Sequence, residues 1–445
     1  MTGTPFARTA PGYSAPVFPQ RAAIGIFASL CVAFGVFLSG FVINEPAPYE
    51  LFMVALIGVW ALFGLRLSRH IAPLIALYVI FNIGGMFSIL TMESVKGAPM
   101  YIAVSLFLAF TAMFFAAIIE ADQRRLRLIF RAYVAAAIIT AMLGILGYFN
   151  AIPGGAMFTR YDRAMGAFQD PNVFGPFLVL PSLYLMHGLL TGTLKAAPLR
   201  TLGLLVLTLG VFLSFSRAAW GLFAISMMLL VLLLLLKERT GTFRLKIFVM
   251  SLVGMALLIG AVIVALQFDQ VANLFSNRAQ LVQEYDGARL GRFQRHAIGF
   301  LMALDHPLGV GPLEFGLMWG EDTHNIWLKA LMDYGWLGFV SYVALMVWTF
   351  VLGFRYLLRD RPWQPYLMLA LIVLFGHTLI GAVIDTDHWR HFYLLMGVVW
   401  GCFALEMRHQ SALAAPKRMR ERRCKPLNEC TYVSAQINPS VRDTH

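Results

Sequence analysis

The chain has 445 residues, of which 59% are hydrophobic and only 13% are charged. Soluble globular proteins do not have this composition, and together with the long apolar runs it predicts a polytopic membrane protein. The formal net charge is +12, but the basic residues fall in short clusters between apolar runs and in one C-terminal tail. That distribution is typical of loops that obey the positive-inside rule and argues against nucleic acid as the partner.

The four cysteines indicate neither a disulfide framework nor a metal site. Cys31 and Cys402 lie in apolar runs, and Cys424 and Cys430 lie in the basic tail. A lone Cys-x5-Cys spacing is a poor metal signature. No cleavable signal peptide is expected, because the first apolar run, 22–43, is long and lacks an Ala-x-Ala exit.

Three regions are predicted along the chain: a disordered cytoplasmic N-terminus at 1–21, a transmembrane domain at 22–406 and a basic cytoplasmic tail at 407–445. A transmembrane helix needs about 20 apolar residues. On that basis about twelve spans are predicted, at 22–43, 51–65, 71–91, 99–119, 129–149, 172–190, 201–216, 218–236, 247–267, 324–353, 365–384 and 390–406. The fold class is therefore all-α polytopic.

The charge distribution predicts the orientation. Clusters such as Arg124–Arg131 and Lys237–Lys246 fall in alternate loops, and the tail is basic as well. Both termini are then cytoplasmic and the number of spans is even, because shifting the frame by one span places nearly every cluster outside.

Two long segments face the opposite side in this topology. One covers about 150–172, and the larger one covers about 267–323, between the ninth and tenth spans. The larger loop has a helical pattern over Leu290–Leu304, followed by a Pro/Gly-rich run over Pro307–Pro312. Its apolar content predicts a packed lid partly sunk in the membrane interface. No internal repeat and no second soluble domain are expected.

The tenth span begins with a polar-to-apolar transition around His324. Asp322 or Thr323 is the expected N-cap, which places His324 in the first turn of the helix at the water boundary. Gly335 is expected to break the segment into a half-helix and a full crossing. His324 is thus a candidate general base, although a histidine at a membrane edge also fits a structural role.

Several arginines on the outer side defy the charge bias. Arg217 lies between two apolar runs, where a charge costs roughly 2.5–3.5 kcal/mol, so it is either a snorkelling structural residue or part of an anion site. Arg160 and Arg163 flank Asp162, which can pair with either of them.

The large loop carries Arg289, Arg292 and Arg295, and the last two share a helical face. They are either a solvated face or part of the site that His324 approaches. Guanidinium groups bind phosphate oxygens bidentately and keep their charge, so such a group of arginines suits a diphosphate.

A rival interpretation uses the Asp-x-Asp at Asp385 and Asp387 with His388 and His391, which could bind a divalent metal. Acidic helix caps use the same residues. The sequence has no P-loop, no Gly-rich nucleotide turn after a strand, no Gly-x-Ser-x-Gly and no HExxH, so a soluble nucleotide-sugar donor is not supported.

Four motifs in order resemble the O-antigen ligase and polymerase family of bacterial inner-membrane proteins, over roughly Arg163–Tyr342. The motifs are residues 163–172 (RAMGAFQDPN), 214–220 (SFSRAAW), Arg292 leading into 305–312 (DHPLGVGP), and 324–328 (HNIWL) followed by 334–338 (YGWLG).

The resemblance implies a twelve-helix fold with a large periplasmic loop. It also implies transfer of a glycan from undecaprenyl diphosphate to an acceptor sugar, with inversion and without a metal or other cofactor. The resemblance assigns His324 as the base and Arg163, Arg217 and Arg292 or Arg295 to the diphosphate. Of the last two, Arg292 is favoured by its spacing from the Pro-Leu-Gly-Val-Gly run, although His296 stands where the family often has Trp.

Three functions remain open at this point. An O-antigen ligase of lipopolysaccharide biosynthesis, with lipid A–core as acceptor, leads narrowly. An O-antigen or exopolysaccharide polymerase would use the same donor. A polytopic transporter would place charges mid-span in several helices, whereas the predicted spans are nearly free of charge.

Overall fold

A computed structural model describes residues 19–278 and 291–424 of the chain. The expected disorder of the first residues, Arg289, Cys430 and the end of the basic tail lie outside the described residues. Two very short strands, β1 (Thr159–Arg160) and β2 (Arg163–Ala164), form an antiparallel hairpin. The helices are α1 (Pro19–Leu38), α2 (Pro48–Leu62), α3 (Ala72–Ile89), α4 (Ala98–Ala121), α5 (Arg124–Tyr148), α6 (Pro171–Phe177), α7 (Val179–Thr191), α8 (Ala197–Leu213), α9 (Arg217–Lys237), α10 (Gly241–Ala265), α11 (Asp269–Arg278), α12 (Arg292–Asp305), α13 (Glu314–Trp319), α14 (Ile326–Tyr356), α15 (Gln364–Ile380) and α16 (Arg390–Cys424).

The prediction of an all-α polytopic membrane protein is confirmed. Within the described residues, seven segments are long and apolar enough to cross a membrane: α3, α4, α5, α6 with α7, α9, α10 and α14. Shorter apolar helices lie in α1, α2, α8 and α15. Eleven of the twelve predicted spans each fall on one helix, and the span at 172–190 falls on α6 and α7. The number of spans that cross the membrane stays a prediction.

Small residues allow the central helices to approach closely. A Cβ at Gly84 of α3 would lie 2.7 Å from the backbone nitrogen of Gly338 in α14, and one at Gly397 of α16 would lie 2.7 Å from the carbonyl oxygen of Ala112 in α4. In lipid, packing of this kind holds helices together, because there is no water to drive apolar side chains into contact. These contacts pack α3 against α14 and α4 against α16, so helices far apart in the chain lie in one bundle.

Helix α14 is broken where the sequence predicts. Gly335 has φ +64° and ψ −175°, so residues 326–334 form a half-helix and the crossing resumes at Trp336. The Pro/Gly-rich run fills the break: the Val310 N–H donates to the Met332 carbonyl at 2.8 Å, and the Trp336 N–H donates to the Pro307 carbonyl at 3.0 Å. Backbone groups freed by the break are therefore satisfied inside the protein, as a membrane environment requires.

The expected N-cap of this helix is wrong. The cap is Asn325, whose side-chain oxygen accepts the N–H groups of Trp327 at 3.0 Å and Leu328 at 3.3 Å. Asp322 lies four residues before the helix, where one oxygen accepts the N–H of Thr323 at 2.9 Å and the other accepts from the Lys329 ammonium at 2.8 Å. His324 therefore precedes the helix, with φ +50°, instead of lying in its first turn.

We predict that Gly335→Ala destabilises the protein. An alanine would have to adopt a left-handed backbone, and its Cβ would lie 2.6 Å from the Leu308 carbonyl oxygen. A strained backbone of this kind costs roughly 1–3 kcal/mol, and the steric overlap adds to it. Thermal unfolding in detergent should show a lower midpoint than wild type.

The matched control is Gly254→Ala, where the added methyl group meets nothing within 4 Å inside the helical α10. Its unfolding midpoint should equal or exceed that of wild type, since alanine is the better helix former. Equal midpoints for the two variants would contradict the role assigned to Gly335.

Candidate active site

His324 makes a direct contact with an acidic side chain from a distant part of the chain. Its Nδ1 lies 3.2 Å from Oδ2 of Asp385, which belongs to the loop between α15 and α16. A carboxylate only accepts hydrogen bonds, so in a neutral imidazole this contact places the proton on Nδ1 and leaves Nε2 as the acceptor. The imidazole is 37% exposed and the carboxylate 19%, so the ring is both accessible and oriented.

The backbone also holds these two segments together. The N–H of Ile326, the first residue of α14, donates to the carbonyl of Gly381 at 2.8 Å. His324 and Asp385 are thus positioned by the meeting of two helix ends.

The Asp-x-Asp carboxylates and the nearby histidines do not form one set of metal ligands. Asp385 contacts His324, whereas Asp387 accepts a hydrogen bond from Tyr101 and lies 3.4 Å from Nδ1 of His388. His391 is buried with its ring 5.2 Å from that of His377. Among residues 19–278 and 291–424, no group of three or more His, Cys, Asp or Glu side chains is arranged to hold a metal ion.

A buried lysine lies among these carboxylates, and sequence reasoning did not weigh it. The Lys329 ammonium is 2.8 Å from Asp322, 3.9 Å from Asp385 and 3.9 Å from Asp387, and 5.4 Å from the centre of the Tyr101 ring. The available signal was a lysine inside an otherwise apolar helical segment, which marks a paired or functional charge.

The lysine keeps Asp387 ionised. Burial alone would raise the pKa of the Asp387 carboxyl, but Lys329, His388 and the Tyr101 hydroxyl together hold that pKa below its ordinary value. Burial lowers the pKa of His388, against the opposing pull of Asp387. At neutral pH this part of the cluster is therefore a carboxylate beside a neutral imidazole.

Helix α12 brings two of the expected arginines to the same segment. Arg295 is buried and its Nη1 lies 2.5 Å from Oε2 of Glu321, three residues before His324. Arg292 lies one turn earlier on the helix and is half-buried. The predicted helical pattern of this loop is confirmed. The helix face that carries Arg295 lies against the chain segment just before His324.

His296 fastens α12 to the backbone beside the candidate base. Its Nε2 lies 2.8 Å from the Thr323 carbonyl oxygen. Burial lowers the pKa of His296; the Thr323 carbonyl opposes this effect, and Arg292, His324 and Arg295 add to it. The ring is then neutral near pH 7 with its proton on Nε2, since the carbonyl only accepts. This histidine stands where the resemblance leads one to expect Trp.

The other two expected arginines meet elsewhere in the bundle. Arg163 on β2 is 5% exposed; its Nε donates to the Ser214 carbonyl at 2.7 Å, and its Nη2 donates to Oδ1 of Asn172 at 2.7 Å. Ser214 begins the tight turn before Arg217, the first residue of α9. Arg163 thus binds the turn that carries Arg217, and the motifs at 163–172 and 214–220 come together.

The five expected site residues therefore form two groups. The base group consists of His324 with Arg292 and Arg295, and the turn group consists of Arg163 with Arg217. Arg160 lies at the exposed edge of the hairpin, where it donates to the Gln169 carbonyl at 2.9 Å.

Residues 202–343, from α8 into α14, match the family model described as O-Antigen ligase. This part of the chain is similar to the O-antigen ligase family. This finding confirms the resemblance drawn from the four motifs, and the matched residues contain Arg217, Arg292, Arg295 and His324. Arg163 lies before the matched O-antigen ligase residues. No curated protein and no solved structure matches the chain.

We predict that Arg163→Lys destabilises the protein by about 1–3 kcal/mol. A lysine cannot reproduce the fork that binds the Ser214 carbonyl and the Asn172 side chain together. The measurement is the thermal unfolding midpoint in detergent.

Arg160→Lys is the matched control, because Arg160 is exposed and a single ammonium can satisfy the Gln169 carbonyl. Its free energy of unfolding should change by no more than about 0.5 kcal/mol, as for other surface substitutions, and its unfolding midpoint should stay close to that of wild type. A larger effect at Arg160 than at Arg163 would refute the anchoring role of Arg163.

Proposed function

We propose that this protein transfers a glycan from undecaprenyl diphosphate to an acceptor sugar at the periplasmic face of the bacterial inner membrane. The acceptor we favour is lipid A–core, which makes the reaction O-antigen ligation in lipopolysaccharide biosynthesis. The observation that carries the proposal is the His324–Asp385 pair beside Arg292 and Arg295, three of whose four residues lie in the part of the chain that matches the O-antigen ligase model.

His324 serves as the general base in this mechanism. Nε2 takes the proton of the acceptor hydroxyl as its oxygen attacks the anomeric carbon of the donor glycan. The new glycosidic bond forms as the bond from that carbon to the diphosphate oxygen breaks, and attack from the opposite side inverts the configuration. Asp385 stabilises the imidazolium that results, and the proton then leaves to solvent.

Arginines neutralise the departing diphosphate. Arg292 and Arg295 lie on α12, beside the base, and we assign Arg217, the first residue of α9, to the same diphosphate. Their guanidinium groups provide fixed positive charge where the leaving group develops negative charge. The proposed mechanism therefore uses neither a metal nor a cofactor. Arg163 contributes by holding the turn of Arg217, and it is the fourth residue assigned to diphosphate binding.

Contacts between loops support the proposed topology, with twelve spans and both termini cytoplasmic. The segments assigned to the periplasmic side meet one another, as His324 contacts Asp385 and Arg163 contacts Ser214. Segments assigned to the cytoplasmic side also meet, as Lys237 contacts Asp360 at 3.3 Å and Arg408 donates to the Glu120 carbonyl. Residues 267–323 are the periplasmic loop in this arrangement.

We predict that His324→Ala lowers the transfer rate by roughly 10²–10⁴-fold, the usual contribution of a general base. Asp385→Asn should lower kcat in the same direction, because the amide no longer stabilises the imidazolium. The assay uses purified protein, a polyprenyl-diphosphate-linked glycan and a lipid A–core acceptor. EDTA should leave the rate unchanged.

The control is His306→Ala, at an exposed histidine of the same loop whose ring Nδ1 lies 2.9 Å from the Met302 carbonyl oxygen of α12. It should transfer like wild type and unfold at the same temperature. Wild-type transfer by His324→Ala would remove His324 from the mechanism, and loss of activity with EDTA would revive a metal at Asp385 and Asp387.

Deletion of the gene should distinguish the acceptors. A ligase defect leaves bare lipid A–core while full-length polymer accumulates on undecaprenyl diphosphate. Core capped with a single repeat would instead identify a polymerase, and normal lipopolysaccharide with altered uptake or export of a solute would identify a transporter. Gel electrophoresis of lipopolysaccharide, with a complemented strain as control, reads out all three.

A further inference from the structure

We infer that Lys329 is a positioning residue for the base: its buried ammonium binds the carboxylates on both sides of His324 and so holds the imidazole in its working orientation. The inference rests on the proposed function and adds a residue that neither the four motifs nor the charge bias singled out.

The contacts of Lys329 reach both segments that meet at the site. Asp322, 2.8 Å from Nζ, precedes His324 by two residues in the same loop. Asp385, 3.9 Å from Nζ, offers the same Oδ2 atom that His324 Nδ1 contacts at 3.2 Å. One ammonium group therefore connects the backbone that carries the imidazole with the carboxylate that orients its ring.

The environment makes this connection strong. Lys329 is 5% exposed, and Asp387 and Tyr101 complete its surroundings. Burying an unpaired ammonium is strongly unfavourable, so the carboxylates around Lys329 are needed to keep its ammonium group in this buried position. Conversely, Asp322, Asp385 and Asp387 lie so close to one point that they would repel one another without the ammonium between them. Loss of Lys329 should therefore move Asp385 and release His324.

The charge of Lys329 also acts on His324 through space. Its positive charge partly cancels the negative potential of the nearby carboxylates, and the arginines of α12 act in the same direction. The charged and titratable groups around the ring are Asp385, Asp387 and His388 after α15, Glu321 and Asp322 before α14, Lys329 and Asp333 on α14, Tyr101 on α4, and Arg292, Arg295 and His296 on α12. Removing one positive charge makes the electrostatic potential at the ring more negative, so the acid limb of the measured pH–rate profile should move to higher pH.

The test compares Lys329→Met with Lys237→Met in the purified transfer assay. Lys237 is the matched control, since it pairs with Asp360 and Gln364 at the end of α9, away from the base. We expect Lys329→Met to lower kcat by about 100-fold, the usual effect of a misplaced reacting group, with KM for the lipid-linked donor changed less than about threefold. The acid limb of its pH–rate profile should move up by roughly half to one pH unit. Lys237→Met should match wild type in all three quantities, and Lys329→Arg should recover part of the rate.

A second variant addresses loss of folding. Lys329→Met combined with Asp387→Asn removes one charge of each sign, so the buried cluster stays balanced and the protein should keep a wild-type unfolding midpoint. Its kcat should remain low, because Asp385 still lacks its anchor.

Wild-type kcat in the double variant, or an acid limb that stays in place in Lys329→Met, would overturn the inference. These outcomes are distinct from failure of the proposed function, in which wild type itself does not transfer glycan or His324→Ala still does.

Discussion

The break in α14 at Gly335 is the constraint on which the site depends. A continuous helix would carry residues 326–334 straight into the crossing and leave no room for the loop between α12 and α13. Because the helix opens there, the backbone of Pro307–Gly311 hydrogen-bonds to both sides of the gap. Ser88 of α3 also donates its hydroxyl to the Asp333 carbonyl at 2.5 Å. The loop thereby becomes part of the bundle, and α12 is held beside His324.

The opening has an energetic reason as well as a steric one. Unsatisfied backbone groups are costly at membrane depth, so irregular backbone is tolerated only where protein groups complete the missing hydrogen bonds. Here the loop and α3 complete them. The same arrangement turns the half-helix into a short, rigid platform whose first residues carry the polar groups of the site, including Lys329 and the capping Asn325.

Charge is distributed unevenly around the candidate base. The Asp385 carboxylate contacts Nδ1 of His324, and the buried Lys329 ammonium partly compensates the negative charge of that carboxylate. Arg292 and Arg295 come from α12, and Arg295 is held by its hydrogen bond to Glu321. Arg163 on β2 donates to the Ser214 carbonyl in the turn before Arg217. An acidic pocket behind the imidazole and guanidinium groups near it suit a reaction in which a neutral hydroxyl loses a proton while a diphosphate departs.

The sequence by itself determined the features that depend on local pattern. Apolar run lengths predicted the helices, Gly335 predicted the break, and the helical pattern over Leu290–Leu304 predicted α12, because hydropathy and backbone preference act over a few neighbouring residues. The motifs also predicted the O-antigen ligase family. Only the tertiary structure decided that Asn325 caps α14 and that Arg163 holds the turn of Arg217. It also decided that Asp385 contacts His324 instead of forming a metal site with Asp387. It also decided that Lys329 lies among three carboxylates. Each of these depends on which of several competing side chains lies within hydrogen-bonding distance, and that distance is set by the packing of helices far apart in the chain.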